Sequence, residues 1–479
     1  MTLSREERTR RIGLLFVWAV LPLAASAIVL THRRRVWFFY DEWGLVYVVV
    51  HGGGDLAAAT TPFNGHLWFF PYLVYRAHFG LFGLTSHTGV YLAFTAGLVA
   101  LSIAVALTLH ALRVPALPAV AGGIAVTYFG TGAQSMVFAV ILSANAALLF
   151  VLLAGVVALR CEPRLGPAIA VASLLVLATG CDSSVTAAAA IFVVVIVVAR
   201  WRGELRAVGV ALVPPFLAGV AWLLHAGTSG EIDKPIPWPD RLEFAGRLLL
   251  RSIGGFVGGT EVAGAVIIVA AAAVIVPAIA AGRLRGLPLL GLVAGGLTAL
   301  TISVVIAWTR AGIVGSNFFD FNRYLSQVAL FALIALAPAI IAALPASLSR
   351  VAVIMGATIV FALVFVANLA PLADYRNTFE GWNLQTRDIV VQAVTILDHG
   401  CPAGTRLDPD GMPAGSLSPQ ITVRLLREAR ARGWLDFDPV AAVDPKIVAR
   451  MCAARSVTRR ADPPPASSAA PLLRPRAGS

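Results

Sequence analysis

Stretches of nearly unbroken apolar sequence, at about 12–30, 89–112, 116–130, 136–159, 166–180, 184–199, 207–226, 262–281, 287–308, 325–344 and 350–370, leave this chain few folds to choose from. A bilayer core is crossed by about 20 apolar residues in helical form, because every backbone polar group there must be satisfied within the segment. The pattern predicts an all-α polytopic membrane protein with about 11 transmembrane helices. Composition agrees: 58% of the 479 residues are hydrophobic and 13% are charged, about half the charged share of a soluble domain. The first stretch lacks a small-residue cleavage pattern followed by a soluble body, so it reads as a retained helix. Stretches 166–180 and 184–199 are short for a full crossing and are separated by Gly180-Cys181-Asp182-Ser183-Ser184. A thin hairpin and a re-entrant pair both fit them.

The net charge of +12 would suggest nucleic acid in a soluble protein. Here the arginines lie in short loops and in the C-terminal region, where they set topology and meet anionic lipid headgroups, so the expected partner is the lipid bilayer and no nucleic acid. With the N-terminus cytoplasmic, Arg113, Arg160, Arg164, Arg200, Arg202, Arg206, Arg283, Arg285 and Arg350 all fall in cytoplasmic turns, as the positive-inside bias demands. His32-Arg33-Arg34-Arg35 runs against the rule. This orientation predicts a multi-pass protein of the plasma or inner membrane with its C-terminus extracytoplasmic.

Three units follow: a transmembrane domain at 1–370 containing a first outer loop at 31–88, a small extracytoplasmic α or α/β lobe at 371–454, and a disordered Pro/Ser/Ala/Arg tail at 455–479. Interfacial helices are expected at Tyr72 to Leu84 and at 240–257, where charges interrupt apolar residues. Within the lobe, a charged helix is expected near Pro419 to Gly433. Cys401 and Cys452 can pair if the lobe faces an oxidising compartment.

Candidate chemistry gathers in the outer segments. Asp41-Glu42 sits in Trp37-Phe38-Phe39-Tyr40-Asp41-Glu42-Trp43, an aromatic cluster suited to a membrane-water interface. Limited water there raises a carboxyl pKa and suits a general base; a solvated acidic turn balancing Arg33 to Arg35 is the plainer alternative. His66 in Asn64-Gly65-His66 is placed either to bond a phosphate or a reacting hydroxyl, or to cap the following helix. Arg310 and Arg323-Tyr324 flank the loop 311–322 and can clamp phosphate oxygens, or simply snorkel to headgroups. Asp182 can face the same space from the turn between the two short stretches. No phosphate loop, His-Glu-x-x-His zinc helix or Gly-x-Ser-x-Gly nucleophile elbow is present in the sequence.

An N-terminal helix, a long loop opening on Asp41-Glu42 and continuing through Asn64 to Pro71, many spans and a late Arg323-Tyr324 together resemble the GT-C glycosyltransferases. The resemblance implies an inverting transferase that uses a polyprenyl-phosphate sugar as donor and a cell-envelope glycan, lipid or protein as acceptor. It implies that Asp41 is the catalytic base, with Glu42 as its partner or a ligand to a divalent metal (Mg or Mn), and that Arg323 lies near the donor phosphate. From the residues themselves, His66 is a further catalytic candidate, and Arg310, Tyr324, Asp182 and Asn64 join Arg323 as substrate-binding candidates. The rival class is a non-catalytic lipid-linked-sugar transporter or flippase, or an envelope scaffold protein; transporters usually show internal repeats and midplane charges, and neither is evident here.

Overall fold

A computed structural model describes residues 16–30, 37–51, 56–62, 66–226, 236–314, 322–345 and 347–454. Arg33 to Arg35, the Gly52 to Gly54 run, Asn64, Lys234, Asp320 and the tail lie outside the described residues.

A short π-helical stretch, Phe16–Val20, enters α1 (Leu21–Leu30). The first long loop folds into α2 (Asp41–His51), a turn at Leu56–Ala59 and α3 (Phe69–Phe82). Then follow α4 (Thr88–Ala111), α5 (Ala116–Thr127), α6 (Leu142–Arg160), α7 (Leu165–Cys181), α8 (Ser183–Trp201) and α9 (Leu205–Ala226). The amphipathic α10 (Trp238–Gly254) leads to α11 (Glu261–Ala280), α12 (Leu287–Val314), α13 (Arg323–Ala343) and α14 (Arg350–Ala367). Beyond them come α15 (Leu369–His399), α16 (Val423–Ala431) and α17 (Pro445–Met451). A two-stranded antiparallel ribbon joins β1 (Thr405–Leu407) to β2 (Cys452–Ala454).

Among the described residues, 8 helices are long and apolar enough to cross a membrane, and shorter apolar helices occupy Val17–Ala27, Ala116–Gly132 and Leu165–Cys181. Together they account for the eleven apolar stretches, and the protein is a polytopic α-helical membrane protein. The helices expected near 72–84, 240–257 and 419–433 are present as α3, α10 and α16. The span expected at 136–159 is present from Ala139 to Arg160, and its entry is irregular: Gln134–Val137 forms a separate short turn and Ala139–Ile141 a tighter one that leads into α6. Gln134, Ser135 and Asn145 are buried polar residues, and the broken backbone lets them bond to one another and to the start of α13 instead of facing lipid.

The helices that bring the site's arginines together are closely paired. A Cβ at Gly295 on α12 would lie 2.8 Å from both Ala335 N and Phe331 O on α13, so glycine is what permits the two backbones to touch. A second point of closure is Asn368, fully buried between α14 and α15. Its Oδ1 accepts from Thr131 N at 3.0 Å, and its Nδ2 donates to Gly255 O at 3.1 Å and Val364 O at 2.9 Å. Three segments distant in sequence are thereby pinned at one end of the bundle.

Two large hydrophobic cores divide the described residues, with a small third cluster around Ala271, Ile275 and Ala339 beside them. One lies among the bundle helices and includes Val105, Val151, Phe192, Ile196, Phe331 and Ile334. The other joins the first loop to the C-terminal region: Trp37, Phe38, Trp43, Tyr75 and Phe79 pack in one cluster with Phe379, Val394, Leu425 and Met451. Polar contacts stitch the same seam, with Leu84 N donating to Trp434 O at 2.7 Å and Arg432 Nη2 to Val50 O at 2.8 Å. Cys401 and Cys452 form a disulfide that ties the end of α15 to β2 across 51 residues. Loop-closure entropy for that separation predicts that Cys452→Ser loosens the C-terminal region by up to about 4 kcal/mol; amide hydrogen exchange over 400–454, with and without reductant, measures it.

Candidate active site

Asp41 opens α2, where an acidic side chain is favoured by the helix dipole. Tyr40 just before it has φ +46°, a left-handed conformation costing a non-glycine residue about 1 kcal/mol or more. The surroundings over-determine this kink. Phe39 stacks on Trp382 with centroids 5.9 Å apart and meets Phe379 edge-on at 5.4 Å, while Trp43 N bonds back to Tyr40 O at 3.0 Å.

The two acidic residues diverge. Glu42 is 1% exposed and its carboxylate accepts from Tyr75 Oη at 2.7 Å, His87 Nε2 at 2.7 Å and Phe39 N at 3.0 Å. Burial and the Glu42 charge push the Tyr75 phenol well above its usual value, which keeps its proton available for donation. Burial likewise pushes the neighbouring His78 down. Glu42 therefore clamps α2 to α3 and to the turn before α4, a different place from the catalytic or metal-binding position expected of it.

Asp41 lies within electrostatic reach of Arg323, Arg310 and His66. Loss of surrounding water pushes its carboxyl above the ordinary carboxylate range, against the opposing pull of the Arg323 and Arg310 guanidiniums and with a small further push from Glu42. Arg323 starts α13, and its geometry is set by a polar latch: Asn322 Oδ1 accepts from Gln134 N at 2.8 Å, Ser135 Oγ donates to Arg323 O at 3.1 Å, and Asn145 Nδ2 donates to Ser135 O at 3.0 Å. The guanidinium lies over the Tyr324 ring, 5.1 Å from its centroid, and donates to Tyr324 Oη at 3.3 Å. Tyr324 thus accompanies Arg323.

His66 does not cap α3, which has no side-chain cap. Its Nδ1 lies 3.4 Å from Asp182 Oδ1 and bonds to Ser184 Oγ, and its Nε2 lies 3.1 Å from Arg310 Nη2. Asp182 caps α8, accepting from Ser184 N at 3.2 Å and Val185 N at 3.1 Å. Burial pushes the Asp182 carboxyl up, but the His66 imidazole, the Val185 amide and Ser184 outweigh it and hold the group below its usual value. Five separate parts of the chain therefore bring Asp41, His66, Asp182, Arg310 and Arg323 to one end of the bundle. Sequence reasoning missed Ser184, Tyr75, His87 and the Gln134-Ser135-Asn145 latch; polar residues inside an otherwise apolar stretch were the available signal for the latch.

A divalent metal on Asp41-Glu42 does not fit these residues. The two carboxylates face different partners, Glu42 already accepts three hydrogen bonds, and Asp41 is neighboured by guanidinium groups. Among the described residues no three His, Cys, Asp or Glu side chains converge on a metal position.

The fold and this cluster define a class: a multi-pass helical membrane protein with an acidic residue and two arginines assembled where the first loop meets the bundle. Among solved structures the chain matches the crystal structure of ArnT from Cupriavidus metallidurans bound to undecaprenyl phosphate, with a TM-score of 0.50 over 86% of this chain and 84% of that one, at 16% identity. The two share a fold. No family model matches the chain, and no curated protein matches it in sequence.

The two site carboxylates predict opposite stability signatures. A carboxyl whose native pKa is raised makes ionisation unfavourable to the fold, so stability is fullest at low pH and erodes as pH rises through that value; a depressed pKa has the reverse effect. Asp41→Asn should raise the Tm at neutral pH, and Asp182→Asn should lower it, each by on the order of 1–2 °C. The Asp41 difference should vanish once pH falls below the ordinary carboxylate range, where that group is protonated in either state, and the Asp182 difference should persist to lower pH, because its native carboxyl stays ionised below that range. Thermal unfolding in detergent between pH 3 and pH 8 checks the signs.

Proposed function

We propose that this protein is an inverting membrane glycosyltransferase that moves a sugar from a polyprenyl-phosphate donor to a glycan, lipid or protein acceptor outside the cytoplasm. The observation that carries the reading is the convergence of Asp41, with its raised pKa, on Arg323 and Arg310. In the proposed reaction the acceptor hydroxyl gives its proton to Asp41 as its oxygen bonds to the anomeric carbon, and the bond from that carbon to the phosphate oxygen breaks. Charge moves onto the departing phosphate through a transition state with oxocarbenium character. Arg323 and Arg310 stabilise that charge, since guanidinium stays ionised and presents a planar fork to phosphate oxygens. Glu42 contributes by fixing α2, so that Asp41 is presented and does not rotate toward the aromatic core.

The likeness in fold to a structure that holds undecaprenyl phosphate supports the lipid-phosphate half of this reading. Its orientation in the membrane is part of the proposal: the N-terminus cytoplasmic, and the first loop and residues 371–454 outside. The arginine bias of the short loops and the Cys401–Cys452 disulfide, a bond favoured in oxidising compartments, both support that side.

Transfer of radiolabelled sugar from polyprenyl-phosphate sugars to membrane acceptors tests the proposal. Wild type should transfer, Asp41→Ala should not at matched folding, and Arg323→Met should lose about 2–4 kcal/mol of transition-state stabilisation in kcat/KM. Full transfer by Asp41→Ala would remove the base. Donor binding without transfer by wild type would favour a carrier over an enzyme.

A further inference from the structure

The contact between Arg310 and His66 constrains the imidazole. A guanidinium can only donate, so Nε2 of His66, 3.1 Å from Arg310 Nη2, must offer a lone pair. The proton of a neutral ring then sits on Nδ1, where Asp182 Oδ1 at 3.4 Å and Ser184 Oγ are placed to receive it. Ser184 Oγ in turn donates to Asp182 Oδ1 at 3.2 Å, and Leu67 N donates to Ser183 Oγ at 3.2 Å, so residues 66 and 67 are strapped to the first turn of α8. Arg310, near the end of α12, has no carboxylate within ion-pair distance among the described residues, and its hydrogen bond to His66 holds the guanidinium beside Asp41.

We propose that Asp182 and Ser184 act as positioning residues: they fix His66 in its neutral Nδ1–H form, and the free Nε2 lone pair of that form aims Arg310 at the donor phosphate. This rests on the transferase reading for the identity of the phosphate, but the relay from Asp182 through His66 to Arg310 does not. It gives His66 a part distinct from general acid or base. An imidazole whose Nε2 is committed to a guanidinium is not free to take a proton from the acceptor, which leaves that step to Asp41. It also makes Arg310 a neutral-partnered cation, and such a cation gives up less on turning to an incoming phosphate than one locked in a carboxylate pair.

Nitrogen NMR of the full chain labelled with 15N-histidine, in lipid nanodiscs, reads the tautomer directly, and His66→Gln identifies the signal by its loss. The expected result is the neutral Nδ1–H form in wild type, its depletion in Asp182→Ala and Ser184→Ala, and its partial return in Asp182→Asn, which keeps both the helix cap and an acceptor oxygen. An Nε2–H tautomer or an imidazolium at neutral pH overturns the relay whether or not the protein transfers sugar.

Binding of undecaprenyl phosphate supplies the second readout. Asp182→Ala and Arg310→Met should each weaken it about tenfold, as loss of one charge-assisted contact does. The double variant should be no weaker than Arg310→Met alone, because Asp182 acts only through Arg310. Additive losses overturn the proposal. Absence of undecaprenyl-phosphate binding by the wild type would count against the donor reading, while the tautomer still decides the relay.

Discussion

A carboxylate removed almost wholly from water persists only where donors replace the lost hydration, and Glu42 is given three: a phenol, an imidazole and a backbone amide. The rest of the site depends on that clamp. It fixes the first turn of α2 against α3 and the turn into α4, and it does so on the aromatic side of the helix. The adjacent residue, about 100° further round, is left to face the bundle. One acidic residue is taken up by architecture, and its neighbour is left among cations.

Around that neighbour the electrostatics are balanced, not maximised. Desolvation lifts the Asp41 carboxyl while Arg323 and Arg310 draw it back. Tyr324 lies under one arginine and His66 beside the other. Asp182, which is charged, reaches the site only through an imidazole.

Much of the fold is legible from the chain because lipid leaves backbone so few options: an apolar stretch of adequate length must be a helix, and residues such as Asp41, Arg310 and Arg323 at its margins need a reason to be there. Those positions were accessible to reasoning for that purpose. The division of labour within Asp41-Glu42 was not, because the partners that claim Glu42 lie 33 and 45 residues downstream and nothing local distinguishes the two side chains. The link of His66 to Arg310 spans 244 residues, beyond any spacing rule. Ser184 reads as one more helix-start serine until His66 is placed beside it. The break at 134–141 was hidden for the opposite reason: its composition is that of a span, and only the polar partners contributed by α13 explain why it is not a straight one.

The shared core of the first loop and the C-terminal region carries a consequence for biosynthesis. The backbone of Trp37 donates to Asn383, 346 residues later, and chains grow at about 5–20 residues per second, so the first loop waits roughly 20–70 s for its partner to be made. During that interval Trp37, Phe38 and Phe39 have no protein to cover that side, and the headgroup layer, which accommodates aromatic rings, is the shelter at hand. Asp41 is held in its final geometry only after nearly the whole chain has emerged. A half-made copy therefore has its spans in the membrane while the seam between the first loop and the C-terminal region is still open.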